Sequence, residues 1–194
     1  MMEHWYNLLP LILLMAAGVS LLAFDDWRLM LAGVAVTYFG AFLLIVQAAP
    51  AGIALIKLVT GLMASALLFV SFKDQKSEQP ALAWSSLIFK VTALALVWLV
   101  MMLVAGSFQQ IFPLNYETIS GALIALTGGL LVLGTTKEPA KVTMGILVLY
   151  SGFDILYTPL ESSILINGLL SLITMLIALV GMYISTRHES EYEE

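Results

Sequence analysis

The sequence predicts an all-α integral membrane protein with seven transmembrane helices, its N-terminus outside and its C-terminus in the cytoplasm. Three observations carry this prediction. Of the 194 residues, 61% are hydrophobic and only 11% charged, with mean hydropathy +1.00, whereas soluble domains carry roughly a quarter charged residues. The apolar residues come in unbroken runs close to the ~20 residues that cross a bilayer, without the alternation of a barrel strand. The few basic residues also sort to one side of the spans that these runs define.

The runs follow in order. The first, Trp5–Phe24, holds Pro10, which is expected in a first turn, where proline is tolerated. Leu29–Ala49 and Ala51–Phe72 are divided at Pro50, and Trp84–Ala105 follows Pro80. Ile119–Thr135 lies after Pro113, Val142–Thr158 between Pro139 and Pro159, and Ser163–Ser185 closes the series. The fifth and sixth runs are short and leave a six-span reading open. Charge favours seven: Arg28, Lys73, Lys76, Lys90, Lys137, Lys141 and Arg187 then share one side, and Lys57 alone falls toward the other. By the positive-inside rule that shared side is cytoplasmic. Trp5, Tyr6, Tyr116 and Tyr157 are expected at the outer interface, and Trp27, Trp84 and Tyr183 at the inner one. Without a basic region before it, the first span is expected to be a retained helix, not a signal peptide.

Composition excludes several functions. Eight Lys and Arg against thirteen acids give no basic face for nucleic acid. Without cysteine there is no disulfide, thiolate nucleophile or iron–sulfur site. His4 and His188 lie in the terminal segments, so no metal or haem cluster, cofactor or catalytic residue is expected. The longest loops, 73–83 and 106–118, are too short for a catalytic domain, and the acidic tail, 186–194, reads as solvated. Function is therefore expected inside the bilayer or on surfaces that meet another protein. No internal repeat stands out, and mid-span Gly/Pro breaks of the transporter type are missing.

Ionisable groups at membrane depth are costly and face a cavity or a partner. Lys57 lies about 10 Å in from Pro50 and Asp154 roughly 7 Å in from Pro159, at 1.5 Å per residue. Both depths are measured from the same, outer side, so the two are expected either to pair or to share one polar cavity. The plainer alternatives are snorkelling for Lys57 and a bond to a neighbouring Ser or Tyr for Asp154. Lys90, close to the cytoplasmic interface, is expected to snorkel. Scattered residues such as Thr37, Tyr38, Gln47, Ser65, Thr127, Ser151, Asn167 and Thr174 are read as glue between helices. Gly121, Ala125 and Gly129 repeat every four residues, a small face for close helix approach, with Gly145 and Gly152 in the sixth span acting alike. The methionines fill gaps.

One resemblance adds to this reading. Thr135-Thr-Lys-Glu-Pro-Ala-Lys141, followed by Met144-Gly-Ile-Leu-Val-Leu-Tyr-Ser-Gly-Phe-Asp154, resembles the second helix of the complex I subunit K fold. The chain is most similar to the hydrogenase-4 component E family, seven spans ending in a subunit K-like three-helix unit. Asp26-Trp-Arg-Leu29 and Ile53-Ala-Leu-Ile-Lys57 look like that family's corresponding segments. The family's Gly-x-Leu-x-x-Glu-Asn-Gly pattern is degenerate here: its glutamate falls at Tyr150, its asparagine at Ser151, and only Gly152 is kept. The last span has Asn167 where the family places acids. A phenol ionises far above neutrality, so Tyr150 is a poor substitute, and Asp154, one turn on, is a candidate for the carboxylate's role.

The resemblance implies a single membrane domain, 1–194, with a four-helix N-terminal half (1–106) and a subunit K-like unit (119–185). It further implies a non-catalytic subunit of a complex I-like or membrane-bound hydrogenase-like assembly in a prokaryotic inner membrane. Such a subunit packs against antiporter-like subunits and the lipid bilayer, with Lys57, Asp154 and Tyr150 as ion-path candidates. A small autonomous transporter or channel acting as a homo-oligomer is the alternative. An intramembrane enzyme is a distant third, since no His-rich box, Ser/Lys dyad or paired Asp lies within a span.

Overall fold

The computed structural model describes residues 2–24, 26–72, 84–161 and 163–190, and among these every regular element is helical. The helices are α1 (Met2–Ala23), α2 (Trp27–Ala48), α3 (Ala51–Phe72), α4 (Trp84–Phe108), α5 (Tyr116–Thr135), α6 (Pro139–Tyr157) and α7 (Ile164–Ser190). Six of them, α2 to α7, are long and apolar enough to cross a membrane, and α1 carries the shorter apolar stretch Leu8–Ala23. The large exposed side chains are also apolar: on α4, Phe89, Leu96, Leu99 and Leu103 all stand open. A face of that kind suits lipid, not water. The chain is a multi-pass membrane protein by this measure.

Most boundaries shift by a few residues from the sequence reading, and three of the shifts have structural content. The first helix begins at Met2, so Pro10 lies in its interior. Proline there removes one ladder bond, a loss that surrounding helices make tolerable in membrane proteins. Pro139 does not separate spans but opens α6 at its first turn, where its missing N–H is one that the helix leaves unused anyway. The last helix continues to Ser190, so the first part of the expected acidic tail is helical. Lys73, Lys76 and Glu191–Glu194 lie outside the described residues, as do the side chains of Trp5, Tyr6, Trp84 and Arg187.

The helices form two rows. In one, α2 packs between α1 and α3; in the other, α6 packs between α5 and α7. The rows then meet like on like, α1 on α5, α2 on α6 and α3 on α7, while α4 lies at the edge against α5 and α1. The expected halves, 1–106 and 119–185, are thus interleaved along their whole length.

This arrangement is a repeat. A gapless shift of 112 residues sets Leu11, Ile12, Leu14 and Leu21 on Leu123, Ile124, Leu126 and Leu133. It also sets Gly33, Val36, Tyr38, Gly40 and Leu44 on Gly145, Val148, Tyr150, Gly152 and Leu156. Packing follows the same register. Gly33 faces Ala17, Ser20 and Leu21; Gly145 faces Gly129, Val132 and Leu133, each neighbour shifted by the same 112. Gly40 faces Pro10 and Leu14, and Gly152 faces Ala122 and Leu126, again in register. In the third helix of each row the buried face agrees at a shift of 113: Ala54, Gly61, Ser65, Leu68 and Phe72 against Asn167, Thr174, Ala178, Gly181 and Ser185. The expectation of a chain without an internal repeat is therefore corrected. Many of the matched positions lie where helices touch, and an apolar background of Leu, Ile and Val hides them.

Candidate ion-path site

Lys57 stands two turns into α3 and Asp154 in the last full turn of α6, so the two meet near one end of the bundle. Their contact is direct. Lys57 Nζ donates to Asp154 Oδ1 at 2.7 Å, with the residues 4% and 2% exposed. Of the two arrangements expected from the sequence, pairing or a shared cavity, the structure gives the first. Snorkelling does not describe Lys57, because its ammonium turns inward to the carboxylate. The alternative for Asp154, a bond to a neighbouring Ser or Tyr, is likewise replaced by the bond to Lys57.

The pair joins the two rows, and it breaks the repeat. At the shifts given above, Asp154 corresponds to Phe42 and Lys57 to Leu170. Neither charge has a counterpart in the other row. The scaffold is duplicated, whereas the chemistry is present once.

Among the described residues the buried oxygens without a partner are Asp154 Oδ2 itself, those of Ser151, Thr158 and Asn167 toward the same end of the bundle, and those of Ser71 and Ser185 toward the other. Hydroxyls buried in these helices mostly return to the carbonyl one turn back on their own helix, as Thr37, Ser65, Thr127, Ser171 and Thr174 do. Ser151 and Thr158 do not, although both are fully buried. They flank Asp154 at the helical spacings three before and four after, so the three share one face. For Ser151 a cause is visible: the Leu147 carbonyl it would use already accepts the Tyr38 hydroxyl, at 3.4 Å. Asp154 Oδ2 also has no partner. On α7, Asn167 donates through Nδ2 to the carbonyls of Glu161 and Ser163, leaving its buried Oδ1 unmatched. Leaving a buried polar atom unsatisfied costs about 1–3 kcal/mol, and such atoms are normally met by protein or water. Four of them, on α6, its C-cap and α7, lie toward the end of the bundle that holds the ion pair.

Tyr150 stands one turn before Asp154 on α6. Its hydroxyl donates to the Leu170 carbonyl of α7 at 3.2 Å and its ring lies beside Phe153. It bonds to neither member of the ion pair. Replacing Tyr150 by Phe is expected to lower stability by about 0.5–1.5 kcal/mol, the value of one such bond, and to leave the Lys57–Asp154 contact intact. Denaturation in mild detergent alongside the turnover of the Asp154 variants would check this.

The small residues divide between two tasks. Gly129 and Gly145 bring the backbones of α5 and α6 together, and Gly152 lies on Ala122 and Leu126. Gly121 faces elsewhere, receiving Leu44 of α2 and Leu14 of α1, and Ala125 is buried at 3% exposure. Sequence reasoning missed the equivalent role of Gly61, whose open side receives the ring of Tyr38. It also missed Trp98, whose Nε1 donates to the Ile124 carbonyl at 3.2 Å and fastens α4 to α5. A tryptophan in mid-span, far from the interfaces where it is usually found, was the available signal.

Comparison with protein-family models, with curated proteins and with solved structures finds no match for this chain.

Proposed function

We propose that this chain spans the membrane seven times, with the N-terminus outside, and moves protons or small ions along a path that includes Lys57 and Asp154. In this reading it is a non-catalytic integral subunit of a complex I-like or membrane-bound hydrogenase-like assembly in a prokaryotic inner membrane. It packs there against antiporter-like subunits, and redox chemistry belongs to its partners. The observation that carries the reading is the buried Lys57–Asp154 pair, with unmatched oxygens toward the same end of the bundle. A purely structural ion pair needs no surplus acceptors, whereas a path that exchanges protons needs groups open to water or to a second proton. Arg28, Lys90, Lys137 and Lys141 at the opposite end of the bundle support the orientation. The short loops and the resemblance support a subunit.

One observation favours a second reading, an autonomous carrier or channel working as a homo-oligomer. Internal repeats are a regular feature of transporters, and their sites lie at the repeat interface. Here the pair bridges the two rows.

Native mass spectrometry of the protein purified in mild detergent from its own cells separates the readings. Recovery with a large antiporter-like subunit is expected. A partner-free oligomer that supports ion flux in liposomes would replace the subunit by the carrier.

A further inference from the structure

At the end of the bundle opposite the ion pair, a cavity of about 450 Å³ opens where α1, α2, α4, α5 and α6 converge. Its wall includes Lys90 from α4, the Thr135 and Thr136 hydroxyls, Lys137 from the α5–α6 junction, and Lys141 from α6, over an apolar floor of α1, α2 and α5 side chains. Lys141 is engaged with Glu138 at 3.1 Å. Lys90 and Lys137 have no ion pair among the described residues. Among the described residues of its lining, three lysines stand against one glutamate.

A second cavity adjoins it. About 470 Å³ in size, it runs between α6 and α7 along Val142, Ile146, Ile173, Ile177, Val180 and Ile184, and it shares Lys137 and Pro139 with the first. A basic, hydroxyl-bearing chamber and an apolar groove therefore meet at one lysine. That combination fits an amphiphile with an anionic head and a hydrocarbon tail. Each volume is in the range of ordinary ligand sites.

We propose that these neighbouring cavities together hold one anionic phospholipid, its phosphate between Lys90 and Lys137 and an acyl chain passing Lys137 into the α6–α7 groove. Charge complementarity selects this occupant over a neutral lipid. Basic pockets between membrane helices suit anionic head groups at the leaflet surface, and the opposite end has no counterpart. There the described connections around Pro50, 109–115 and 158–163 contain no lysine or arginine. The inference depends on the membrane reading but not on ion movement, so its failure would leave the Lys57–Asp154 proposal standing.

Delipidated protein in mild detergent, titrated with phosphatidylglycerol, phosphatidylcholine or soluble glycerol phosphate and followed by native mass spectrometry, tests the site. Wild type is expected to retain phosphatidylglycerol at least tenfold more tightly than phosphatidylcholine, and glycerol phosphate only weakly. The exposed substitution K137Q, alone and with K90Q, is expected to remove that preference. V180W, which fills the groove from its open side, is expected to weaken phosphatidylglycerol while leaving the response to glycerol phosphate unchanged. Equal retention of the two lipids by wild type would overturn the proposal, as would an undiminished preference in K90Q/K137Q. Glycerol phosphate binding as tightly as the lipid would reassign the site to a soluble anion. Thermal midpoints of the lipid-free variants, expected to match wild type, separate loss of binding from loss of fold.

Discussion

Asp154→Asn is expected to destabilise the protein by about 3–5 kcal/mol, the cost of leaving one buried charge without its partner. The Lys57 ammonium is turned inward onto Asp154 Oδ1 and is 4% exposed as a residue, so solvent does not replace the lost carboxylate. Lys57→Met is expected to cost a similar amount by stranding the carboxylate. The double variant K57M/D154N removes both charges, and most of the stability should return, because a buried pair is close to neutral against well-packed uncharged residues. Chemical denaturation in mild detergent measures all three, and the double-mutant cycle isolates the coupling. Function separates what stability joins. If the pair only fastens α3 to α6, the double variant recovers turnover together with fold. On the ion-path proposal it recovers fold alone, and proton-coupled turnover of the assembled complex stays lost. Wild-type turnover in the double variant would reduce Lys57 and Asp154 to a structural clamp.

This pair was the part of the site most legible in the sequence, for a physical reason. Charges inside apolar runs are rare because they are expensive, and the fixed rise of a helix converts distance from a proline into depth. Two charges at matching depth on separate helices have few other ways to be neutralised. Adjacency was not legible in that way. Nothing in the spacing of Ser151, Thr158 and Asn167 tells that their oxygens lack partners; for Ser151 that depends on the Tyr38 hydroxyl reaching Leu147 from another helix. Tyr150 was singled out because the resemblance placed a glutamate there. The structure gives its hydroxyl to a backbone carbonyl, a contact that depends on the face α7 presents. Helix ends were legible to within a few residues. Prolines account for part of the difference: Pro10 was read as lying in a first turn although the helix begins two turns earlier, and Pro139 was read as a break although it opens α6.

The repeat leads to the second large effect. Gly40 and Gly152 occupy the same register, yet substitution by alanine is expected to be unequal. At Gly40 an added Cβ meets Leu14 side-chain carbons at 3.1–3.2 Å, and the Pro10 carbonyl only at 3.5 Å. A leucine end can rotate away, so Gly40→Ala should change stability by less than about 1 kcal/mol, with the better helix propensity of alanine offsetting part of the crowding. At Gly152 the added Cβ falls 2.6 Å from the Leu126 backbone nitrogen and 2.9 Å from the Ala122 carbonyl. Backbone cannot rotate away, and α5 would have to separate from α6. Gly152→Ala is therefore expected to cost about 1–3 kcal/mol, the usual range for overpacking, and Gly129→Ala, which meets Leu149 nitrogen at 2.5 Å, a similar amount. Thermal unfolding of G40A, G152A and G129A in the same detergent compares them directly. Equal, small effects at all three would mean that α5 and α6 are no closer than α1 and α2. The expected inequality has a consequence for function. Asp154 lies two residues beyond Gly152 on α6, so a helix displaced from α5 must move relative to Lys57 on α3. A G152A protein that folds should lose turnover in proportion to that displacement, although the substitution touches neither charge.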